Sequence, residues 1–325
     1  MGSIPQESRQ GSQDPLGQLL SGLPSQCLEP LWLKMDAMVP ASPNPVAKAH
    51  LWKYEDALPH LLRAGKLVPA ESAERRVLML VNPSMTAPCT TDTIYGGLQL
   101  VNPGEVAPAH RHIAFAARFI IDGSGYTAVE GKRMALERGD VILTPTWHWH
   151  DHGNESNAPV IWLDALNLPL FRYARVNFAE GYTESRYPSE PADPPEWRHP
   201  WKPVKAALDA AGAPHATHHY RTPDGKPLST TIGMQAERIE AGCTTEFSQH
   251  PSSFLYHCFE GTGKTIVEPP NGERVVLEWK DRDTFAVPAW SRIQHVNTSA
   301  TEPAYLVAVN DRPFLELLGL TKPGL

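Results

Sequence analysis

GDVILTPTWHWHDHGN at 139–154 decides how this chain reads, because RDTFAVPAWSRIQHVN at 282–297 repeats it. Asp140/Asp283, Pro145/Pro288, Trp147/Trp290, His152/His295 and Asn154/Asn297 coincide without a gap at a constant offset of 143. Upstream, RFIIDGSGYTAV at 118–129 matches YHCFEGTGKTIV at 256–267 at an offset of 138, so the difference falls in a loop between strands. The chain is therefore expected to be an internal duplication of a small β-barrel. Around these segments, VLMLVNP, TIYGGLQLVNPG, ARFIIDGSG, YTAVEG, DVILTP and VIWLDAL are short apolar runs bounded by Gly, Pro, Asn or Asp, the pattern of strands joined by turns. With 32 Pro and 23 Gly in 325 residues, the prediction is an all-β fold, since proline at that density breaks helices.

Outside the repeats the pattern changes. Residues 1–25 are rich in Gln, Ser, Gly and Pro and read as a mobile arm, while LEPLWLKMDAM and YEDALPHLLRAG carry helical spacing, the second stopping at Gly65. RYPSEPADPPEWRHPWKP, within 186–228, does not suit a sheet interior and is expected to link the halves. The expected organisation is 1–75 arm and short helices, 76–185 first barrel, 186–228 linker and 229–325 second barrel. A net charge of −7 without a basic run gives nucleic acid no electrostatic footprint. No apolar stretch approaches the ~20 residues that span a bilayer, and MGSIPQESRQ lacks a secretory pattern, so a cytoplasmic protein without membrane contacts is expected. Cys27, Cys89, Cys243 and Cys258 form no CxxC pair and read as reduced thiols.

The chemistry is carried by histidines. In PGEVAPAHRHIAFAARF, His110 and His112 are two apart, so on a strand both imidazoles leave one face and can chelate one metal. His148, His150 and His152 alternate likewise, although His148 falls in the turn before the strand. A lone HxH is common on solvent faces; two such segments brought together in a barrel make a site. If the strand from His110 runs unbroken, Ala114, Ala116 and Arg118 share the histidines' face. Arg118 could then hold a carboxylate in two-point contact, or pair with Asp164 as a structural ion pair. Trp147 and Trp149 are expected to pack the barrel. His199, His215, His218 and His219 are explained by surface exposure.

Together these segments resemble the cupin superfamily. Gly104, five residues, His110-x-His112 and Gly123 follow its first motif; Gly139, five residues, Pro145, four residues, His150, three residues and Asn154 follow the second. Trp147 stands where the second motif normally has Gly, and Ala116 where the first normally has a Glu ligand. That departure, with AERRVL at 73–78, GLQLVNPGEVAPAHRH at 97–112, LTPTWHWHDHGN at 143–154, WLDALNLP at 162–169 and NDRPFLELLGL near the end, resembles the gentisate 1,2-dioxygenase group of bicupins, over roughly residues 28–320. The group includes salicylate, substituted-salicylate and 1-hydroxy-2-naphthoate dioxygenases.

The resemblance implies two tandem cupin barrels with short N-terminal helices, the first catalytic and the second metal-free. By offset, His110 maps to Ser248, His112 to His250 and His150 to Ile293, a set that cannot hold a catalytic metal. It further implies Fe(II) on His110, His112 and His150. Three neutral donors leave iron its full double charge, to be neutralised by the carboxylate and phenolate oxygens of an ortho-hydroxybenzoate, with a position for dioxygen. Ring opening would fall between the carboxyl- and hydroxyl-bearing carbons. Arg118 is implied as the carboxylate clamp, His152 as hydrogen-bonding the substrate hydroxyl or bound oxygen, Gln99 and Asp164 as cavity lining, Tyr95 as aromatic wall, and Arg75 or Arg76 as reaching in. Gentisate is the expected substrate; Ala165 and Asn167, where relatives often carry Gly and Asp in WLDGLD, count against it and bring salicylate, 5-nitrosalicylate and 1-hydroxy-2-naphthoate forward. A zinc or manganese cupin and a metal-free ligand-binding bicupin are the readings from other classes. Relatives imply a homotetramer.

Overall fold

The computed structural model describes residues 14–73 and 75–321. Contacts divide the chain into two compact units, 1–44 and 45–325. In the first, the Asp14 carboxylate accepts from Leu16 N and starts the helix Pro15–Gly22. Residues 15–22, expected within a mobile arm, are thus helical; the arm before Asp14 lies outside the described residues. Short 3-10 turns at Pro24–Gln26 and Leu31–Leu33 and one helical turn, Met35–Met38, complete this unit.

The second unit holds two barrels of matching strand order. In one sheet of the first, Val141–Thr144, Ala116–Asp122, Val160–Leu166 and Tyr95–Val101 are neighbours; in the other, Val106–His112, His150–Gly153, Gly125–Val129 and Lys132–Leu136. The second barrel repeats both orders with Thr284–Val287, Phe254–Glu260, Ala304–Asn310 and Gly233–Ile239, then Ser248–Gln249, Arg292–Asn297, Thr262–Glu268 and Val275–Lys280.

Side chains alternate across each strand, so one face of a sheet lines its barrel while the other seeks cover. Leu98, Leu100, Phe119, Ile121 and Leu163 from the first barrel share a buried cluster with Met234, Leu255, Phe259, Val307 and Val309 from the second. The barrels therefore pack sheet against sheet, each large side chain contributing about 1.5–3 kcal/mol by leaving water. Phe119 and Phe259 meet edge to face at 5.3 Å. The inward residues Ile120, Ile142 and Trp162 instead join Val129, Met134 and Leu136 to close one end of the first barrel.

The compact unit begins at Pro45, inside the segment 1–75 that the sequence sets aside, because His50–Trp52 hydrogen-bonds as an edge strand to Thr284–Ala286 of the second barrel. The helix Tyr54–Leu67 runs past Gly65, where a stop is expected. That glycine serves close approach: a Cβ there would lie 3.2 Å from Leu100 Cδ2, and Asn102 Nδ2 donates to its carbonyl. The 186–228 segment is more than a connection. Glu190–Pro191 and Arg198–His199 add to sheets of the first barrel, Trp201–Ala210 is helical, and His215–His219 edges the second barrel. Its prolines confine it to sheet edges, where a missing N–H costs nothing. His199, His215 and His218 are half-buried along it rather than fully exposed.

Candidate metal centre

Pairing of Val106–His112 with His150–Gly153 sets the site. Ala107 faces His152 and His110 faces His150, so three steps on one strand answer two on the other. The extra residue forms a bulge at Pro108–Ala109, where proline's missing N–H is tolerated. The bulge decides the face: without it residues 109 and 111 would point inward, and with it His110 and His112 do.

Ring centroids of His110, His112 and His150 are 4.3 to 5.1 Å apart, and one ring nitrogen from each lies within 4.8 Å of the others. His112 Nδ1 sits 2.7 Å from Ala114 O and His150 Nδ1 2.9 Å from His148 O, so each donates there and leaves Nε2 as a lone-pair donor. His150 Nε2 is buried with no partner. His110 Nδ1 is 3.3 Å from Pro108 O and is also met by the Arg75 guanidinium. Burial, then Arg75, pushes His110 down to about 2; burial, then Arg118, pushes His112 down to about 4; burial, then His110, holds His150 well below its ordinary value. All three are neutral at physiological pH, the form that binds a metal. Ala116, buried on the adjoining sheet, contributes no carboxylate. The donor set fits a divalent metal.

The strand carrying His110 does not run unbroken to Arg118. It ends at His112, residues 113–115 turn, and Ala116–Asp122 belongs to the other sheet. Arg118 nevertheless faces inward, because its strand pairs Asp164 on one side and Ile142 on the other, and directly paired residues share a face. Its Nε lies 3.0 Å from Asp164 Oδ1, both side chains being nearly fully buried, and Nη1 donates to Thr144 Oγ1. Of the two geometries expected for Arg118, the structure shows the ion pair with Asp164, and the guanidinium charge also helps to lower His112 and His152. Burial lowers Arg118 and raises Asp164 from their ordinary values.

His152 is buried, its Nδ1 2.8 Å from Thr127 Oγ1 and its Nε2 without a partner. Its ring rests 5.2 Å from that of Trp162, and burial, then Arg118, keeps it neutral. Gln99 is buried with an unpartnered Nε2. Tyr95 lies on the same strand face, and burial, then Asp164, raises its phenol. Of the two candidate arginines, Arg75 is the one at the site, donating to Pro108 O at 2.8 Å and touching His110. Arg76 is buried against the Glu105 carboxylate and the Val68 carbonyl, a structural anchor. His148 stays in the loop, its Nδ1 on Thr146 O.

Trp147 and Trp149 do not fill the barrel. Both lie half-buried on its outside, around Arg111. Trp147 holds φ +63°, and Trp290 in the second barrel +62°, the left-handed conformation that the motif's usual glycine suits. Motif spacing does not mark Thr127, Thr144 or Gly97, which the fold brings to the site. A Cβ at Gly97, opposite Asp164, would lie 2.6 Å from Val77 Cγ1 and 2.7 Å from the Tyr95 hydroxyl; one at Gly96 would lie 2.6 Å from Leu255 Cδ2 across the barrel interface. Two glycines inside an otherwise apolar strand are the signal available in the sequence.

A cupin domain model matches residues 97–166. The chain is 36% identical over 331 residues to gentisate 1,2 dioxygenase 1 of Aquipseudomonas alcaligenes, covering 92% of this chain and 93% of that protein. It is 35% identical to a 5-aminosalicylate 1,2-dioxygenase of Comamonas sp, over 90% and 86% of the two chains. Among solved structures, salicylate 1,2-dioxygenase from Pseudoaminobacter salicylatoxidans, in an adduct with gentisate, superposes with a TM-score of 0.85 at 26% identity, over 99% of this chain and 98% of that one. With the duplicated barrel and its three-histidine cluster, these similarities make the chain a member of the gentisate 1,2-dioxygenase family of bicupins, oxidoreductases that cleave aromatic rings.

Proposed function

We propose that the protein opens the C1–C2 bond of gentisate or a related 5-substituted salicylate, using Fe(II) held by His110, His112 and His150. The observation that carries this reading is a cluster of three neutral imidazoles with no carboxylate among them, set beside the buried Arg118. Iron(II) held there supplies Lewis acidity toward the substrate's oxygens and the means to activate O2.

The remaining work falls to the chain's own residues. Arg118, its Nε fixed by Asp164 and its Nη1 by Thr144, clamps the substrate carboxylate against a preorganised guanidinium. Arg75 adds a second positive charge at the cluster. His152, held by Thr127 through Nδ1, directs Nε2 to the ring hydroxyl, and the Gln99 amide donates from the neighbouring strand. Those two orphaned polar atoms cost stability unless a ligand completes them. Tyr95 walls the ring, and burial of Tyr95, Gln99, Arg118 and His152 keeps water from their side of the site.

The two departures, Ala165 and Asn167, are taken up by packing and by hydrogen bonds within the protein. Ala165 belongs to the core between the barrels. Asn167 commits its amide to Phe115 N, which it accepts from, and to Thr231 Oγ1. With both residues so committed, gentisate leads, with salicylate, 5-nitrosalicylate and 1-hydroxy-2-naphthoate behind it. The test is anaerobic titration of the iron-loaded protein with a panel of hydroxybenzoates, followed by oxygen uptake. Gentisate or a 5-substituted salicylate is expected to bind and trigger uptake. Turnover with zinc or manganese alone, or no uptake with any member, overturns the reading. Assembly as a homotetramer belongs to the same proposal and is checked by light scattering. No helix among the described residues is long and apolar enough to cross a membrane.

A further inference from the structure

Between the two inward histidines of Val106–His112, alternation forces Arg111 outward. Its guanidinium lies between two indoles, 4.5 Å from the Trp147 ring centre and 4.4 Å from that of Trp149. Nε and Nη2 both donate to Glu180 Oε2, at 2.9 and 2.6 Å, from the strand Ala179–Gly181 that pairs alongside. Trp149 immediately precedes His150, and Trp147 N donates to His112 O. One cation therefore bridges, from outside the barrel, the two segments whose inner faces carry all three metal-binding imidazoles.

The bridge sits where the ladder between the two ligand strands is interrupted. The bulge interrupts the ladder, leaving His110–His150 as the one paired position at the ligand end. Small slips there would spread the ring nitrogens, and between the two ligand segments the backbone holds them at this end through the His110–His150 pair and the Trp147 N to His112 O bond. A guanidinium flanked by two aromatic faces adds to that hold, because stacking and cation–π attraction act on both indoles at once.

The second barrel provides the comparison. Ser248 pairs Ile293 there, in the register in which His110 pairs His150. By the same correspondence Arg111 becomes Gln249, Trp147 becomes Trp290 and Trp149 becomes Arg292. Gln249 Nε2 donates to Trp290 O, and Arg292 turns away over Phe247 at 4.1 Å. The turn tryptophan persists in both barrels, whereas the sandwiched cation accompanies the histidines and is lost with them. A device needed only to fold a barrel would be retained in both.

We propose that Arg111 is a positioning residue for the metal centre, holding His110, His112 and His150 in ligand geometry through Trp147 and Trp149. The proposal rests on the metal assignment above, and its test separates the two. In the full-length protein loaded anaerobically with iron(II), release to a chromogenic chelator is timed for wild type, Arg111→Ala, Arg111→Lys, Trp149→Leu, Gln249→Ala and His110→Ala, and the metal-free forms are melted in parallel. Arg111→Ala and Trp149→Leu are expected to weaken iron retention by about tenfold or more, the range for residues that orient metal ligands. Metal-free melting should change little. Arg111→Lys should recover part of the loss, since an ammonium keeps the charge but not the planar stack, and Gln249→Ala should match wild type. Retention within twofold of wild type in both Arg111→Ala and Trp149→Leu, with His110→Ala releasing iron, overturns the positioning role alone. Unchanged retention in His110→Ala overturns the metal assignment itself. Should Arg111→Ala fail to fold, Trp149→Leu and Arg111→Lys decide the question.

Discussion

Across one register the two barrels hold different chemistry: His110 faces His150 in the first, and Ser248 faces Ile293 in the second. Much else is shared. Thr127 Oγ1 meets His152 Nδ1 at 2.8 Å, and Thr265 Oγ1 meets His295 Nδ1 at the same distance. Asn154 and Asn297 each tie down flanking backbone carbonyls, and Asp140 and Asp283 each accept a backbone N–H, from Trp201 and Tyr54. These duplicated pins belong to the fold. The difference lies in what the interior leaves open. Gln99 ends in an unpartnered amide, whereas Glu237 at the matching place accepts from His215 Nε2 at 2.8 Å, Gln235 Nε2 at 2.7 Å and the Tyr256 hydroxyl at 3.2 Å. Where Arg118 and Asp164 form an ion pair, the second barrel has Tyr256 and Ala308. His152 Nε2 and His295 Nε2 are both without a hydrogen-bond partner, so the contrast lies at the strand position opposite them: the second barrel satisfies its central carboxylate from within, while the first leaves the Gln99 amide open. Paired polar groups stabilise and unpaired ones do not, so the contrast separates scaffold from site.

The sharpest break of that comparison is a ligand deletion. His150→Ala should abolish metal loading and turnover, while His250→Ala in the second barrel leaves both intact, as metal analysis of anaerobically prepared protein would show. Equal loss from His250→Ala would place the centre elsewhere. Next in size, Arg118→Ala should weaken substrate binding with iron retained, and should destabilise the fold by about 3–5 kcal/mol by stranding a buried Asp164. Installing the second barrel's residues together, Arg118→Tyr with Asp164→Ala, should destabilise less than Arg118→Ala alone in denaturant unfolding.

Acid probes the second barrel. Burial alone would raise Glu237, but the His215 hydrogen bond, the His295 field and Gln235 outweigh it and bring the carboxyl down to about 2. The unfolded chain takes up that proton below about 4.5 while the native state refuses it, so stability is fully present above that pH and is lost as pH falls toward 2, by of order 3 kcal/mol. His257, pushed down to about 3 by burial, acts in the same direction: only the unfolded chain is protonated between about 6.5 and 3. Acid unfolding followed by circular dichroism should therefore be less steep in Glu237→Gln. The smallest effect concerns the shared pins. Thr127→Val and Thr265→Val should each cost about 1–3 kcal/mol for an unpaired buried imidazole nitrogen, but only Thr127→Val should lower kcat.

The duplication and the imidazole set are legible in the sequence because they are local: spacing of two on a strand, repeated turn residues and a constant offset need no tertiary knowledge. Arg118 does aim inward, but not for the reason its spacing suggests, since the chain changes sheets after His112 instead of continuing as one strand. Trp147 and Trp149 resemble core residues because two large apolar side chains beside ligands suggest one, yet alternation with His150 turns Trp149 outward. Gly96 and Gly97 mark a close approach by interrupting a strand, but nothing in the sequence says what an added Cβ would strike.

By itself, the sequence determined that two like barrels form and that one carries three histidines without a carboxylate. Tertiary structure alone decided which face those histidines take, since a bulge at Pro108 shifts the strand by one residue and every side chain beyond it changes sides. It also decided that Arg75, not Arg76, meets them, because adjacent residues on an extended chain point to opposite faces and only packing against Glu105 tells which is which.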